Sequence, residues 1–183
     1  MHKAAVHLEL VEGPVFLIIV ASSFICGVRF RLVISGARVA SGTVNMANKV
    51  WFITGTSKGF GRVWAEAALA RGDWVAATAQ HVRTLAPLVE RYGNQVAAIT
   101  LDVTDKAAVD ASIREAHARF GCLDVVINNA GYGLFGTIEE VSEAEARAQI
   151  ETNLFGALWV TQAALPIMRA QGTQGDWPAK RSR

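Results

Sequence analysis

Three glycines, Gly55, Gly59 and Gly61, fall within the short stretch Thr54-Gly55-Thr56-Ser57-Lys58-Gly59-Phe60-Gly61. An apolar, β-rich run, Val50-Trp51-Phe52-Ile53, lies before them, and an alanine-rich stretch with helical spacing, Arg62 to Arg71, lies after. Glycine in a regular element costs about 0.5–1 kcal/mol relative to alanine, so three at one junction need a reason. A merely punctuating loop would be loose and polar, and this one is tight. A helix N-terminus presents unpaired N–H groups and partial positive charge, and so attracts an anion. Glycines let the backbone approach that anion and let the helix sit close on the strand. The pattern is G-x-x-x-G-x-G. It is neither the commoner G-x-G-x-x-G nor a P-loop, since no Gly-Lys-Ser/Thr follows. Between a strand and a helix it reads as a nucleotide-phosphate site.

The chain then alternates. Val50–Thr54, Trp74–Thr78, Val96–Leu101 and Leu123–Asn128 read as strands. Phe60–Arg71, Val82–Tyr92 and Asp105–Phe120 read as helices, closed by Gly72, Gly93 and Gly121. Ser142-Glu143-Ala144-Glu145 is a capping box opening a long helix to about Arg169, with Ile150, Leu154, Leu158, Leu165 and Met168 at helical spacing. Strand–helix alternation with short connections gives right-handed βαβ units and a parallel sheet, whose ligands bind at the carboxyl ends of the strands. The unusual residues cluster there: the glycine loop, Asp102-Val103, and Asn128-Asn129-Ala130-Gly131.

At 183 residues the chain suits one domain, and its 51% hydrophobic content suits a buried parallel sheet. A net charge of +2 is too balanced for a nucleic-acid partner. The two cysteines, Cys26 and Cys122, have no metal-type spacing and read as reduced, in a cytoplasmic setting. No metal site is expected. Residues 1–45 look foreign to the remainder. Their apolar run, residues 15–28, is shorter than the roughly 18–20 residues needed to span a bilayer. Met46 fits as a natural start, just before the first strand, with a membrane anchor or signal segment as the competing reading. This divides the chain into an N-terminal extension (1–45), a dinucleotide-binding half (46–172) and an irregular tail (173–183).

Taken together, four motifs in order over residues 47–170 resemble the short-chain dehydrogenase/reductase family. Thr54 to Gly61 matches its TGxxxGxG, Asp102-Val103 its adenine-contacting step, Asn128-Asn129-Ala130-Gly131 its NNAG, and Asn153 its helix asparagine. The resemblance implies a Rossmann-type doubly wound α/β sheet, here incomplete at about four strands, and hydride transfer between NAD(P)(H) and an alcohol or carbonyl substrate. It also implies roles. Gly55, Gly59 and Gly61, with the intervening Thr56, Ser57, Lys58 and Phe60, should hold the pyrophosphate. Asp102 should take the adenine amino group, with Val103 beside it, and Asn129, Ala130 and Gly131 should line the ribose. Asn153 should hold a water in a proton relay.

The bland alternatives are a helix N-terminal acid at Asp102, a post-strand turn at Asn128-Asn129 and a tolerated polar helix residue at Asn153. No acid stands about 20 residues past the glycines to bind a ribose 2′-OH; the second strand ends Ala77-Thr78-Ala79-Gln80-His81-Val82-Arg83. Lys58 and Arg83 can meet a 2′-phosphate instead, or be solvated surface charges, and NADP(H) is favoured over NAD(H).

The family's chemistry needs a serine and Tyr-x-x-x-Lys. Four residues beyond Tyr92 is Val96 and four beyond Tyr132 is Gly136, so neither tyrosine has its lysine. After Gly172 the strand pattern and motifs stop abruptly, as a truncation or shifted reading frame would produce. The expectation is therefore a cofactor-binding half without turnover of its own, whose fourth strand is an open apolar edge inviting association, including homo-oligomers. A non-catalytic nucleotide-binding or regulatory module, and a membrane-tethered fragment held by residues 15–28, are the rivals.

Overall fold

The computed structural model describes Leu17–Val20 and residues 48–173. One parallel sheet runs through it, made of β1 (Leu17–Val20), β2 (Val50–Ile53), β3 (Trp74–Ala79), β4 (Val96–Thr100) and β5 (Val125–Asn128), in the order β1-β5-β2-β3-β4. The helices are α1 (Gly59–Ala70), α2 (Ala86–Tyr92), α3 (Lys106–Phe120), α4 (Glu143–Ile150) and α5 (Ala157–Thr173).

Each strand is nearly continuous in apolar residues because both faces are covered. On one face Phe52, Ala76, Ile99 and Val126 pack with Val109, Ile113 and Phe120 of α3 and Val160, Ala164 and Met168 of α5. On the other, Ile53, Val75, Ala77 and Ile127 pack with Ala65, Ala68 and Leu69 of α1 and Leu88 of α2. This is the doubly wound arrangement, and the four strands expected from the alternation are all present. The strand order reverses at β2, with β3 on one side and β5 on the other.

Three local departures have physical causes. Val82–Leu85 is a 3₁₀ turn rather than the start of one long helix. Pro87, in the first turn of α2, has no N–H to return to the carbonyl of Arg83. The long helix after the capping box is interrupted by a π-helical turn, Glu151–Gly156, before continuing to Thr173 through Pro166. Its expected apolar stripe does not keep to one environment. Met168 is buried with Val160 and Ala164, while Ile150, Leu154 and Leu158 face outward. Finally, the open outer edge expected of β5 is covered: Leu17–Val20 pairs with it in parallel register, Leu17 opposite Val125 and Val20 opposite Asn128.

The boundary at Met46, most of the apolar run 15–28, Cys26 and residues 174–183 lie outside the described residues. Among the described residues, no helix is long and apolar enough to cross a membrane, and no group of metal-ligating side chains occurs.

Candidate functional site

The site is built at the reversal point of the sheet, around one buried threonine. Thr54 ends β2, and its Oγ1 accepts the backbone N–H groups of Asn129 and Ala130, each at 2.9 Å. The Asn129 carboxamide returns the contact, donating to the carbonyls of Thr54 and Gly55 at 2.9 Å each. The loop after β2 and the loop after β5 are thereby locked together. Thr56 ties the same loop to β3: its N–H and its hydroxyl both reach the Thr78 carbonyl, at 2.8 and 3.0 Å.

The glycines answer three different demands. Gly55 has φ +69°, and a Cβ there would stand 3.0 Å from Ala130 Cα. Gly61 has ordinary backbone but no room: its Cβ would lie 2.4 Å from Asn129 Nδ2 and 2.5 Å from the Gly55 carbonyl. Gly59 has φ +63°, yet a Cβ would meet nothing within 4 Å. Its glycine is therefore required by conformation, and it opens onto the cleft. The N-terminus of α1 begins there. Its N-cap, Lys58, makes no side-chain cap, and its first turn carries no acid. Unpaired N–H groups, the helix dipole and a lysine thus converge on one open place, which is what a phosphate requires.

A cleft of about 420 Å³ opens over the carboxyl ends of β2 to β5. Of the residues singled out in the sequence, Gly55, Ser57, Lys58, Gly59, Phe60, Asp102, Val103, Asn129, Ala130 and Gly131 line it. Thr56, Gly61, Arg83 and Asn153 do not. Thr56 and Gly61 support the loop from behind, and Arg83 is exposed on the 3₁₀ turn. Asn153 acts as a clamp: its Oδ1 accepts from the Tyr132 N–H at 3.0 Å and its Nδ2 donates to the Tyr132 carbonyl at 2.7 Å. The adjacent Gly131 makes space for it, since a Cβ there would lie 2.8 Å from Asn153 Oδ1.

Ala79, Gln80, Leu101, Tyr132 and Thr152 also line the cleft and were not anticipated. Ala79, Gln80 and Leu101 had a usable signal, since they end or follow strands already recognised. Thr152 enters from the π turn, for which the helical spacing gives no signal.

Asp102 is the cleft's acid. Its Oδ1 accepts the Thr104 N–H at 3.0 Å and the Thr104 hydroxyl at 2.8 Å, and its Oδ2 accepts from Gln80 Nε2 at 3.0 Å. The Thr104 N–H, above all, holds its carboxyl below the ordinary aspartate range. Partial burial opposes this shift, and the Thr104 hydroxyl and Gln80 add to it.

A doubly wound sheet with a glycine-lined, cation-bearing helix N-terminus at its switch point defines a dinucleotide-binding α/β protein. Residues 49–176 match the model of the short chain dehydrogenase family, and the chain belongs to that family. It is 46% identical over 124 residues to oxidoreductase BOA17 of Botryotinia fuckeliana, covering 67% of this chain and 45% of that relative. It is similar in structure to a short-chain dehydrogenase from Streptomyces avermitilis, with a TM-score of 0.66 at 45% identity, over 68% of this chain and 46% of that one. A 3-ketoacyl-(acyl-carrier-protein) reductase from Brucella melitensis, complexed with NADH, aligns with a TM-score of 0.66 at 28% identity, over 69% and 53% of the two chains. The chain thus spans about half the length of the relatives it matches.

Proposed function

We propose that this chain is the cofactor-binding half, residues 46–172, of an NADP(H)-dependent oxidoreductase of the alcohol–carbonyl type, binding the dinucleotide without turnover of its own. The observation that carries the reading is Lys58 on the uncapped N-terminus of α1, beside Gly59, with Gln80 rather than an acid directly after β3. The residues fit the cofactor: the backbone of Gly55 to Phe60 would hold the pyrophosphate, Lys58 the 2′-phosphate, and Asp102 the adenine amino group. Ala130 and Gly131 would line the ribose. Asn129 acts there through the loop it clasps, and Asn153 through Tyr132. A bound nicotinamide supplies or accepts the hydride. Arg83 joins the 2′-phosphate only if its exposed side chain swings toward the cleft.

Proton transfer to a substrate oxygen needs a general acid held beside the nicotinamide end. Neither tyrosine of this chain has a lysine four positions on, so NADPH should bind and no carbonyl substrate should accelerate its oxidation. Titrating the full chain with NADPH and NADH by cofactor fluorescence tests the reading. NADPH should bind more tightly, and Lys58→Ala should weaken NADPH about tenfold or more while barely changing NADH, as expected of one lost charge-assisted phosphate contact. Equal weakening of both would leave Lys58 a surface charge, and carbonyl-dependent oxidation would overturn the absence of turnover. The same features suit a nucleotide-binding module that pairs with a longer relative, which co-purification would reveal. A cytoplasmic location is the reading for this half, so cell fractionation should recover the chain in the cytosolic fraction, and recovery in the membrane pellet would favour tethering through residues 15–28.

A further inference from the structure

Leu101 donates its N–H to the Ala79 carbonyl at 2.9 Å, so the chain leaves β3 and β4 side by side. Gln80 and Asp102, one residue further along each, therefore meet across the mouth of the cleft, and both line it. The Asp102 carboxylate is fixed at two points. Thr104 holds Oδ1 twice, through its N–H and its hydroxyl, and Gln80 holds Oδ2 once, through Nε2 at 3.0 Å. An ionised carboxylate offers about four lone-pair positions. Three are used, and the one left is on Oδ2, the oxygen that Gln80 sets. The terminal torsion of an aspartate is broad, so Thr104 alone leaves a pivot about Oδ1. The second anchor fixes the carboxylate plane.

We propose that Gln80 is a positioning residue for base selection: it aims the remaining acceptor of Asp102 at the 6-amino edge of the cofactor's purine. This rests on the dinucleotide reading above. The chemistry is selective because a 6-amino group donates a hydrogen bond to a carboxylate, whereas the 6-oxo group of hypoxanthine presents only a lone pair at that position.

The test compares NADPH with reduced nicotinamide hypoxanthine dinucleotide phosphate, each titrated into the full chain and into Gln80→Ala. Gln80 is exposed, so its removal should leave the circular dichroism spectrum unchanged and lower Tm only slightly, through the lost bond to Asp102. The unsubstituted chain should prefer the adenine cofactor about tenfold or more, as expected of one charge-assisted hydrogen bond. Gln80→Ala should bring that preference to within about threefold, and Asp102→Asn should abolish it. A preference unchanged in Gln80→Ala would overturn the proposal, leaving the Gln80–Asp102 bond a surface contact. Equal binding of both cofactors by the unsubstituted chain would also overturn it while leaving the dinucleotide reading intact. Binding of neither would remove the dinucleotide reading itself.

Discussion

At the scale of single residues, the cleft depends on how three glycines divide the work. Gly61 and Gly59 carry the same motif but should fail differently. At Gly61 an added methyl meets the Gly55 carbonyl and the Asn129 amide, neither of which can retreat without breaking the clasp between the two loops. Gly61→Ala should therefore cost stability of about 1–3 kcal/mol, the usual range for forced overpacking, together with binding. At Gly59 the methyl has space but the backbone sits at φ +63°. Gly59→Ala should cost about 1–2 kcal/mol of left-handed strain, with a dinucleotide affinity loss larger than that stability loss. Urea denaturation and cofactor titration on both variants check the contrast.

Asp102 makes a second residue-scale prediction. Its carboxyl is held below its unfolded value, so the stability it contributes is fully present above the ordinary aspartate range and is lost as pH falls through the folded-state value. The gap in Tm between the unsubstituted chain and Asp102→Asn should be constant near neutrality and close in acid. A gap that widens in acid would contradict the assignment.

The glycine loop, Asp102-Val103 and Asn128-Asn129-Ala130-Gly131 were legible in the sequence because each sits directly after an apolar run that announces a strand. What those residues bond to was not. Asn129 reads as a ribose contact, but its carboxamide is engaged by the Thr54 and Gly55 carbonyls. That pairing depends on how β2 and β5 lie beside each other, which no local pattern carries.

At the scale of elements, the decisive feature is the π turn between α4 and α5. A π turn holds more residues per turn than an α-helix and is frequent at functional sites. Here it carries Thr152 into the cleft and Asn153 onto Tyr132. It also brings Gly156 against the loop after β4: a Cβ on Gly156 would lie 2.6 Å from Val103 Cγ2 and 2.9 Å from Val103 Cβ. Val103 is next to Asp102, so pressure at Gly156 reaches the acid. Gly156→Ala should destabilise the protein and weaken dinucleotide binding, and Val103→Ala should relieve only the part due to Cγ2, because its Cβ stays in place. A double-mutant cycle measures this directly, with a coupling of about 0.5–3 kcal/mol expected for residues in contact. Additive effects would mean that the two positions are independent. The period-3.6 reading located this helix and its capping box correctly, and Ser142 and Glu145 form that box. The apolar spacing did not distinguish the exposed Ile150, Leu154 and Leu158 from the buried Met168, because burial depends on what packs against each position.

At the scale of the whole molecule, the strand order puts β1 where it has most effect. β5 lies between β2 and β1, and all four of its residues are buried. With β2 satisfying one side, the other side is an edge whose N–H and C=O groups need partners. A flat, apolar edge of that kind pairs readily with other chains. From sequence alone, if Met46 is the natural start, removing residues 1–45 should leave solubility unchanged or improved, because an exposed apolar run favours aggregation. The observed register reverses that expectation. Leu17–Val20 covers the full length of β5, residue for residue, so removing it uncovers backbone that the sheet has already desolvated. The chain lacking residues 1–45 should move to higher-mass species in size-exclusion chromatography. The β5 amides that face β1 should lose hydrogen-exchange protection, while those that face β2 keep it. A chain lacking only residues 1–16 retains β1 and should behave as the full chain does. If both truncations elute as the full chain and protect β5 equally, β1 does not hold the edge in solution.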